Sequence, residues 1–156
     1  MIGDALRLAR EQRGWTQTQA AARLGVSQAY VALLENGRRP VPPRLARRAV
    51  HVFKLNPAYL PPTGKDPCDA TAEKLARDLG RLGYPGFRYL RGGPAKNPGE
   101  VLLAALAQPE LDSRVAEALP RLLLNYPPME SHWLVIQARL LNLTNRLGFV
   151  VDLARR

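Results

Sequence analysis

The chain has 156 residues, 46% of them hydrophobic, and a formal net charge of +10. This hydrophobic fraction suffices for a packed core and excludes wholesale disorder, while the basic excess favours a polyanionic partner such as nucleic acid. Residues 1–60 carry ten of the 23 basic residues and three of the 13 acidic ones, so most of the net charge lies there. The single cysteine, Cys68, excludes an intrachain disulfide. Because the sequence has no apolar signal core and no run long enough to span a bilayer, it predicts a cytoplasmic protein that does not enter a membrane.

Three short helices are predicted at the start of the chain. Apolar positions predict the first over residues 4–13. Thr16 is a hydroxyl N-cap for the second helix, which ends at Gly25, where a left-handed residue without a Cβ is favoured. Ser27 caps the third helix, and Gly37 closes it.

The second and third of these helices are predicted to form a pair. Leu24, Val26, Val31 and Leu34 are spaced to meet between them. The outward face of the third helix is then made of Gln28, Ala29, Ala32 and Leu33. A helix, a short glycine-containing turn and a presented helix form the helix-turn-helix arrangement, whose second helix fits the major groove of DNA.

A motif of fixed spacing supports this interpretation. Its positions are Gly14, Thr16, Gln17, Gly25, Val26, Ser27, Val31, Leu34, Glu35, Asn36, Gly37, Arg38 and Pro40. The pattern resembles the phage-repressor (Cro-type, XRE) family of helix-turn-helix proteins over residues 4–60, a little more than a third of the chain. The resemblance implies a five-helix DNA-binding domain that usually acts as a dimer on a palindromic operator.

The third helix is predicted to read the bases. Gln28 is its first residue and lies at the end nearest the bases, where a glutamine amide can both donate to and accept from adenine. The resemblance implies base-facing roles for Ala29 and Leu33, which lack hydrogen-bonding groups and are expected to touch thymine methyl groups. It implies a peripheral role for Tyr30 or Ala32.

Contacts to the DNA backbone are predicted on both sides of that helix. Gln17, at the start of the second helix, is expected to bind a phosphate through its side chain or the nearby amides, and could brace Gln28. The resemblance places Asn36, Arg38 and Arg39 where the family grips the sugar-phosphate backbone.

The resemblance also implies a structural ion pair between Arg10 and Glu35. Two positions depart from the family pattern. Ala20 replaces a larger aliphatic residue, so neighbours such as Trp15 must fill the space. Ala32 replaces a serine or threonine and removes a polar contact to DNA.

The predicted first domain, residues 1–60, ends with two more helices. Pro42 and Pro43 are typical of the start of the fourth, and Asn56 with Pro57 predicts a short fifth one. Residues 61–70 have the composition of a linker.

Residues 71–156 are predicted to form a second helical domain, so the predicted fold class is all-α. Thr71 and Asn97 are N-caps of its first two helices, and another helix is expected from Ser113. Pro120 either breaks that helix or starts the next one. Residues 130–155 form either one long helix or two helices joined near residues 142–145.

The sequence argues against an enzyme. The only histidines, His51 and His132, have no partner at hydrolase or metal-ligand spacing, and there is no Cys/His cluster and no phosphate-binding glycine loop. We therefore expect no catalytic residues, no metal and no cofactor.

The role of the second domain stays open between two alternatives. Residues 71–156 either form a homodimer or bind a protein partner such as a toxin. The second alternative is motivated by their length, which exceeds what dimerisation alone needs. The sequence therefore predicts a sequence-specific regulator that binds double-stranded DNA, a repressor acting as a homodimer, with an autoregulating antitoxin as the alternative. RNA binding by the basic, aromatic loop 87–91 is a third interpretation.

Overall fold

The computed structural model describes residues 1–90, 92–127 and 129–156. All regular secondary structure in these ranges is helical, which confirms the predicted all-α class. The chain divides into two compact units, Met1–Pro61 and Pro62–Arg156, and each has its own hydrophobic core.

The N-terminal unit contains α-helices followed by a short 3-10 helix. The α-helices are α1 (Ile2–Gln12), α2 (Gln17–Leu24), α3 (Gln28–Glu35) and α4 (Pro43–Val52). The fifth helix that the family resemblance implies is a 3-10 turn, Pro57–Tyr59. The side chain of Asn56 caps this turn by accepting a hydrogen bond from the amide of Ala58 at 2.9 Å. Prolines cannot continue a helix readily, and Pro61 follows almost at once.

The core of the N-terminal unit lies between α1, α2, α3 and α4. Its most deeply buried side chains include Leu6, Leu24, Val31 and Phe53. The ring of Trp15 packs edge-on against Phe53, with 5.3 Å between ring centroids. Ala20 is fully buried in the same cluster, against which Trp15 packs.

A glycine sets the distance between α1 and α3. Gly3 is buried, and a Cβ built on it would lie 2.3 Å from the carbonyl oxygen of Leu34. Real Cβ atoms do not approach an oxygen so closely. Only glycine at this position therefore allows the start of α1 to pack directly against the backbone at the end of α3. This approach helps to hold the end of α3 in place.

The second unit is also built from helices. Its α-helices are α5 (Ala72–Arg81), α6 (Pro98–Leu106), α7 (Ser113–Asn125), α8 (Ser131–Leu140) and α9 (Thr144–Arg155), with 3-10 helices at Pro67–Asp69 and Pro85–Leu90. Leu75, Leu79 and Leu82 are all buried. They belong to the core of the second unit, in which most of the residues of α6 are also buried.

Two ambiguous points in the second unit are resolved by packing. α7 continues through Pro120. Contrary to the two alternatives expected there, the helix neither breaks at this proline nor is followed by a new helix that begins there. Proline removes one backbone hydrogen bond, but Ala118, Leu119 and Leu122 are buried against the core, and this burial keeps the helix continuous. Residues 130–155 form two helices, because Asn142 adopts a left-handed conformation (φ 57°) between α8 and α9.

The segment expected to be a linker, residues 61–70, lies mostly within the second unit in this division of the chain. The 3-10 helix Pro67–Asp69 lies against α6. Thr63 hydrogen-bonds to Glu100 of α6 through both its amide and its hydroxyl group.

Candidate nucleic-acid interface

Both ends of α2 and the start of α3 are fixed by local capping interactions. Thr16 accepts a hydrogen bond from the amide of Gln19 at 3.1 Å, and the side chain of Gln19 accepts one from the amide of Thr16 at 2.9 Å. This is a complete capping box, which the spacing of Thr16 and Gln19 could have revealed. Gly25 ends α2 in the left-handed region (φ 69°), and Ser27 caps α3 by accepting from the amide of Tyr30.

The two sides of α3 differ in burial. Val31, Leu34 and Glu35 are buried against the N-terminal unit. Of the α3 residues predicted to contact DNA, Gln28 and Ala29 are exposed and Tyr30, Ala32 and Leu33 are partly exposed. α3 therefore presents an accessible side that carries the amide of Gln28 at its start and the hydroxyl group of Tyr30 two residues later.

A chain of side-chain hydrogen bonds connects this accessible side to the interior. Gln28 Nε2 donates to Gln17 Oε1 at 2.7 Å, and Gln17 Nε2 donates to Glu35 Oε2 at 3.0 Å. Arg10 donates two hydrogen bonds to the same carboxylate, from Nε to Oε1 at 2.7 Å and from Nη2 to Oε2 at 3.0 Å. We call these four residues, Arg10, Glu35, Gln17 and Gln28, the relay. It joins α1, α2 and both ends of α3.

The electrostatics of the relay centre on Glu35, which is only 2% exposed. A buried carboxylate is stable only when it is paired and hydrogen-bonded, and Arg10 and Gln17 provide this. The hydrogen bonds to Glu35 raise the pKa of the Arg10 guanidinium above its ordinary value, against the opposing effect of desolvation. Arg10 also donates to the carbonyl oxygen of Trp15 at 2.9 Å, which ties the turn before α2 to the ion pair.

The residues after α3 form a basic, exposed corner. Asn36, Arg38 and Arg39 are all exposed, and Gly37 between them takes a positive φ of 66°. The amides of Arg38 and Arg39 donate to the carbonyl oxygen of Leu33 at 3.0 and 3.3 Å, which folds this corner back on the helix end. In the part of the chain that the structure describes, neither arginine side chain forms an ion pair, so both guanidinium groups remain accessible.

Arginines of α2 and α4 form contacts within the N-terminal unit that the sequence did not indicate. The guanidinium of Arg23 lies over the ring of Trp15, 3.9 Å from its centroid. Arg48 donates to the carbonyl oxygen of Arg23 at 3.2 Å, where it places a positive charge at the C-terminal end of α2. Arg44 and Arg47 are exposed on α4.

The other candidate groups lie outside this surface. His51 and His132 are exposed, and across residues 1–90, 92–127 and 129–156 no group of three or more histidine, cysteine or acidic side chains is placed to hold a metal ion. The hydrogen bond with Asp66 raises the pKa of the exposed Cys68 thiol. In the loop considered for RNA binding, Phe87 is buried and Arg91 lies outside the described residues.

Within the described ranges, none of the helices combines the length and the apolar character that crossing a bilayer requires.

Comparison with known proteins identifies the N-terminal unit. A family model described as a helix-turn-helix domain matches residues 2–60. No curated protein and no solved structure matches the chain. The match covers α1 to α4 and the terminal 3-10 turn, which are the elements that carry the relay and the basic corner. Residues 2–60 are a helix-turn-helix domain of an XRE-like family, which implies that this protein binds DNA.

Proposed function

We propose that this protein is a transcriptional repressor that reads double-stranded DNA in the major groove with α3 and binds as a homodimer. The observation that carries the proposal is the exposed Gln28 at the start of α3, held at 2.7 Å by Gln17. A base-reading side chain with a fixed orientation loses less conformational freedom on binding than a mobile one.

The geometry of the Gln28 amide suits adenine. One N–H of this group is used by Gln17, which leaves the carbonyl oxygen and the second N–H directed away from that bond. A glutamine amide with both of these groups available accepts from adenine N6 and donates to N7. We therefore expect Gln28 to specify an adenine in each half-site.

The rest of the reading face is apolar. Ala29 and Leu33 can contact thymine methyl groups but cannot hydrogen-bond to bases. A face with one polar reader gives few direct contacts per half-site, so we expect DNA shape and the flanking arginines to contribute to specificity. Tyr30 and Ala32 lie at the margin of this face.

Phosphate contacts are assigned to groups around α3. The side chain of Gln17 is already engaged by Glu35 and Gln28, so the backbone amides at the start of α2 are the better phosphate donors there. Asn36, Arg38 and Arg39 are accessible and supply two further positive charges. Such contacts fix the position of a protein on DNA without reading its sequence.

The second unit supports the homodimer through exposed apolar side chains near its C-terminal end. Leu140 of α8 is 75% exposed and Phe149 of α9 is 65% exposed, and Val135, Ile136 and Leu153 are exposed on the same two helices. Large exposed apolar groups of this kind are typical of protein interfaces. Two domains held together could occupy half-sites about one helical turn apart and block transcription.

The same apolar side chains support a second candidate function. An autoregulating antitoxin would bind a toxin through the second unit and DNA through the first. Light scattering on the purified chain distinguishes the two. We expect the purified chain to have the mass of a dimer, and Leu140→Ser or Phe149→Ser to weaken that dimer. A monomeric mass for the unaltered chain would instead favour the antitoxin, which binds a different protein.

Selection of bound sequences from a random double-stranded DNA pool at fixed salt tests the proposal directly. We expect a palindromic motif with adenine at the position that Gln28 reads. Enrichment of no motif above background would refute sequence-specific binding. A single half-site without a repeat would refute the homodimer.

A further inference from the structure

We propose that a cavity in the second unit binds a small organic amine, with Glu100 as the acceptor of its ammonium group and Trp133 as the surface for its apolar part. The cavity has a volume of about 1020 Å³ and lies between the segment Pro62–Ala70 and helices α5, α6 and α8. It belongs to the second unit alone and is separate from the helix-turn-helix domain.

Glu100 lines this cavity and carries the observation that points to a ligand. Its Oε1 accepts two hydrogen bonds from Thr63, from the amide at 2.5 Å and from the hydroxyl at 2.9 Å. Its Oε2 is buried and accepts no hydrogen bond from any residue that the structure describes. A buried carboxylate oxygen without a donor is unfavourable, so a donor that reaches it gains more than it would in water.

The buried acid that lines the cavity, Asp78, already has partners. Asp78 accepts from Lys96 at 2.6 Å and forms an ion pair with Arg81 at 3.4 Å. Asp78 therefore balances one of these two positive charges, and Glu100 is the carboxylate with an oxygen that accepts no hydrogen bond. The unpaired oxygen requires a hydrogen-bond donor, which an ammonium group supplies and an anion does not, although Lys65, Lys74 and Arg77 also line the cavity.

Trp133 provides the second element of recognition. It is partly buried, lines the cavity and lies against α6, where a Cβ added to Gly99 would be 3.2 Å from its ring. The tryptophan face attracts organic cations and packs well against apolar groups. Glu100 and Gly99 are adjacent in the chain, so the carboxylate and the ring border the same end of α6.

A small movement makes Glu100 accessible. The carboxylate turns as one planar group, so a donor reaches the buried Oε2 only when the residues that cover Glu100 move. The covering residues 62–66 are exposed, and Gly64 has open space around it at a positive φ of 68°. This part of the wall can therefore shift without disturbing the core.

Calorimetric titration of the full chain with benzylamine tests the site. Benzyl alcohol is the neutral probe of the same shape, and benzoate carries the opposite charge. We expect saturable one-to-one binding of benzylamine in the millimolar range or tighter, and much weaker binding of the other two. Absence of saturable benzylamine binding, or tighter binding of benzoate, would overturn the proposal.

Variants locate the bound probe. Glu100→Gln is expected to weaken benzylamine binding by about tenfold or more, because it removes the charge from the acceptor. Glu117→Gln, an exposed position on α7, is the matched control and should bind like the original chain. Equal binding by both variants would reject Glu100 as the acceptor.

A measurement on the unaltered chain covers the case in which Glu100→Gln does not fold. In a ¹⁵N–¹H spectrum, benzylamine should shift the amide signal of Thr63 and the indole signal of Trp133 along the same saturation curve. Shifts confined to other residues would place the probe elsewhere and overturn the assignment.

Discussion

Gln17 and Gln28 are joined by a hydrogen bond of 2.7 Å between side chains on two different helices. Gln17 is itself held by Glu35, which is buried and paired with Arg10. The orientation of an exposed amide on α3 is thus set by an ion pair in the interior. The relay connects the stability of the domain with the direction of its base-reading group.

The first prediction concerns the relay as a unit. Gln28→Ala should weaken binding to the selected DNA site by about 1–3 kcal/mol and relax the preference at one base pair. Gln17→Ala should lower the same preference without touching the base, because it releases Gln28. Fluorescence anisotropy with the selected site and single-base variants measures both effects. The double variant should lose less than the sum of the single losses, and strictly additive losses would mean that the two residues act independently.

The second prediction separates phosphate contacts from base reading. Arg38→Ala should weaken binding to all DNA sequences by a similar factor and reduce the slope of log K against log salt by about one. Arg114→Ala removes the same charge from an exposed position on α7 and is the control. If both variants change the salt slope equally, Arg38 acts only through the net charge of the chain.

The third prediction concerns the buried ion pair. Arg10→Met leaves Glu35 charged and without its cation, so the unfolding free energy of the domain should fall by about 3–5 kcal/mol. The double variant Arg10→Met with Glu35→Gln should recover part of this loss, since a neutral amide can still accept from Gln17. Hydrogen exchange of the Val31 amide, inside α3, reports on this unit alone.

Arg7→Met is the matched control for the ion pair, because Arg7 is exposed on the same helix. It should leave the exchange of Val31 nearly unchanged. A loss as large as that of Arg10→Met would show that the effect arises from α1 in general.

The fourth prediction compares two glycines of opposite surroundings. Gly3→Ala would bring a Cβ to 2.3 Å from the Leu34 carbonyl oxygen, so it should destabilise the N-terminal unit by about 1–3 kcal/mol. Gly148 lies within α9, and beyond its chain neighbours and the backbone of its own helix no heavy atom is within 4 Å of an added Cβ. Gly148→Ala should therefore stabilise that helix by up to about 1 kcal/mol. Thermal unfolding followed by circular dichroism measures both. Equal effects of the two substitutions would contradict the close approach of α1 to α3.

The fifth prediction concerns alkaline pH. Burial raises the pKa of Tyr126, whose hydroxyl donates to the Leu82 carbonyl oxygen at 2.6 Å. The folded state therefore holds this proton more tightly than the unfolded state. The resulting stability is fully present below the ordinary tyrosine pKa of about 10 and is lost as the pH rises through the folded value.

Tyr126→Phe should therefore reduce the fall in unfolding free energy above pH 10. Denaturant titrations at increasing pH measure this. Tyr89→Phe is the control, because Tyr89 is exposed. Identical alkaline profiles for the two variants would exclude Tyr126 as a source of the pH dependence.

The sequence alone determined the features that depend on neighbouring residues. The caps at Thr16, Ser27 and Asn97 are local, because a side chain bonds an amide two or three residues away. The left-handed end of α2 at Gly25 is local for the same reason, and the family spacing marks the helix-turn-helix domain.

Tertiary structure decided the features that join distant parts of the chain. The hydrogen bond from Gln17 to Glu35 spans 18 residues, and the spacing of polar residues does not specify it. Pro120 lies inside α7 although it cannot donate a backbone hydrogen bond. The burial of the neighbouring apolar side chains against other helices outweighs the loss of that bond. Thr63 donates to Oε1 of Glu100 on α6, and Oε2 of the same carboxylate is buried without a donor. Local bonding sets where helices begin and end, whereas long-range packing sets which polar groups are paired and which remain free to bind.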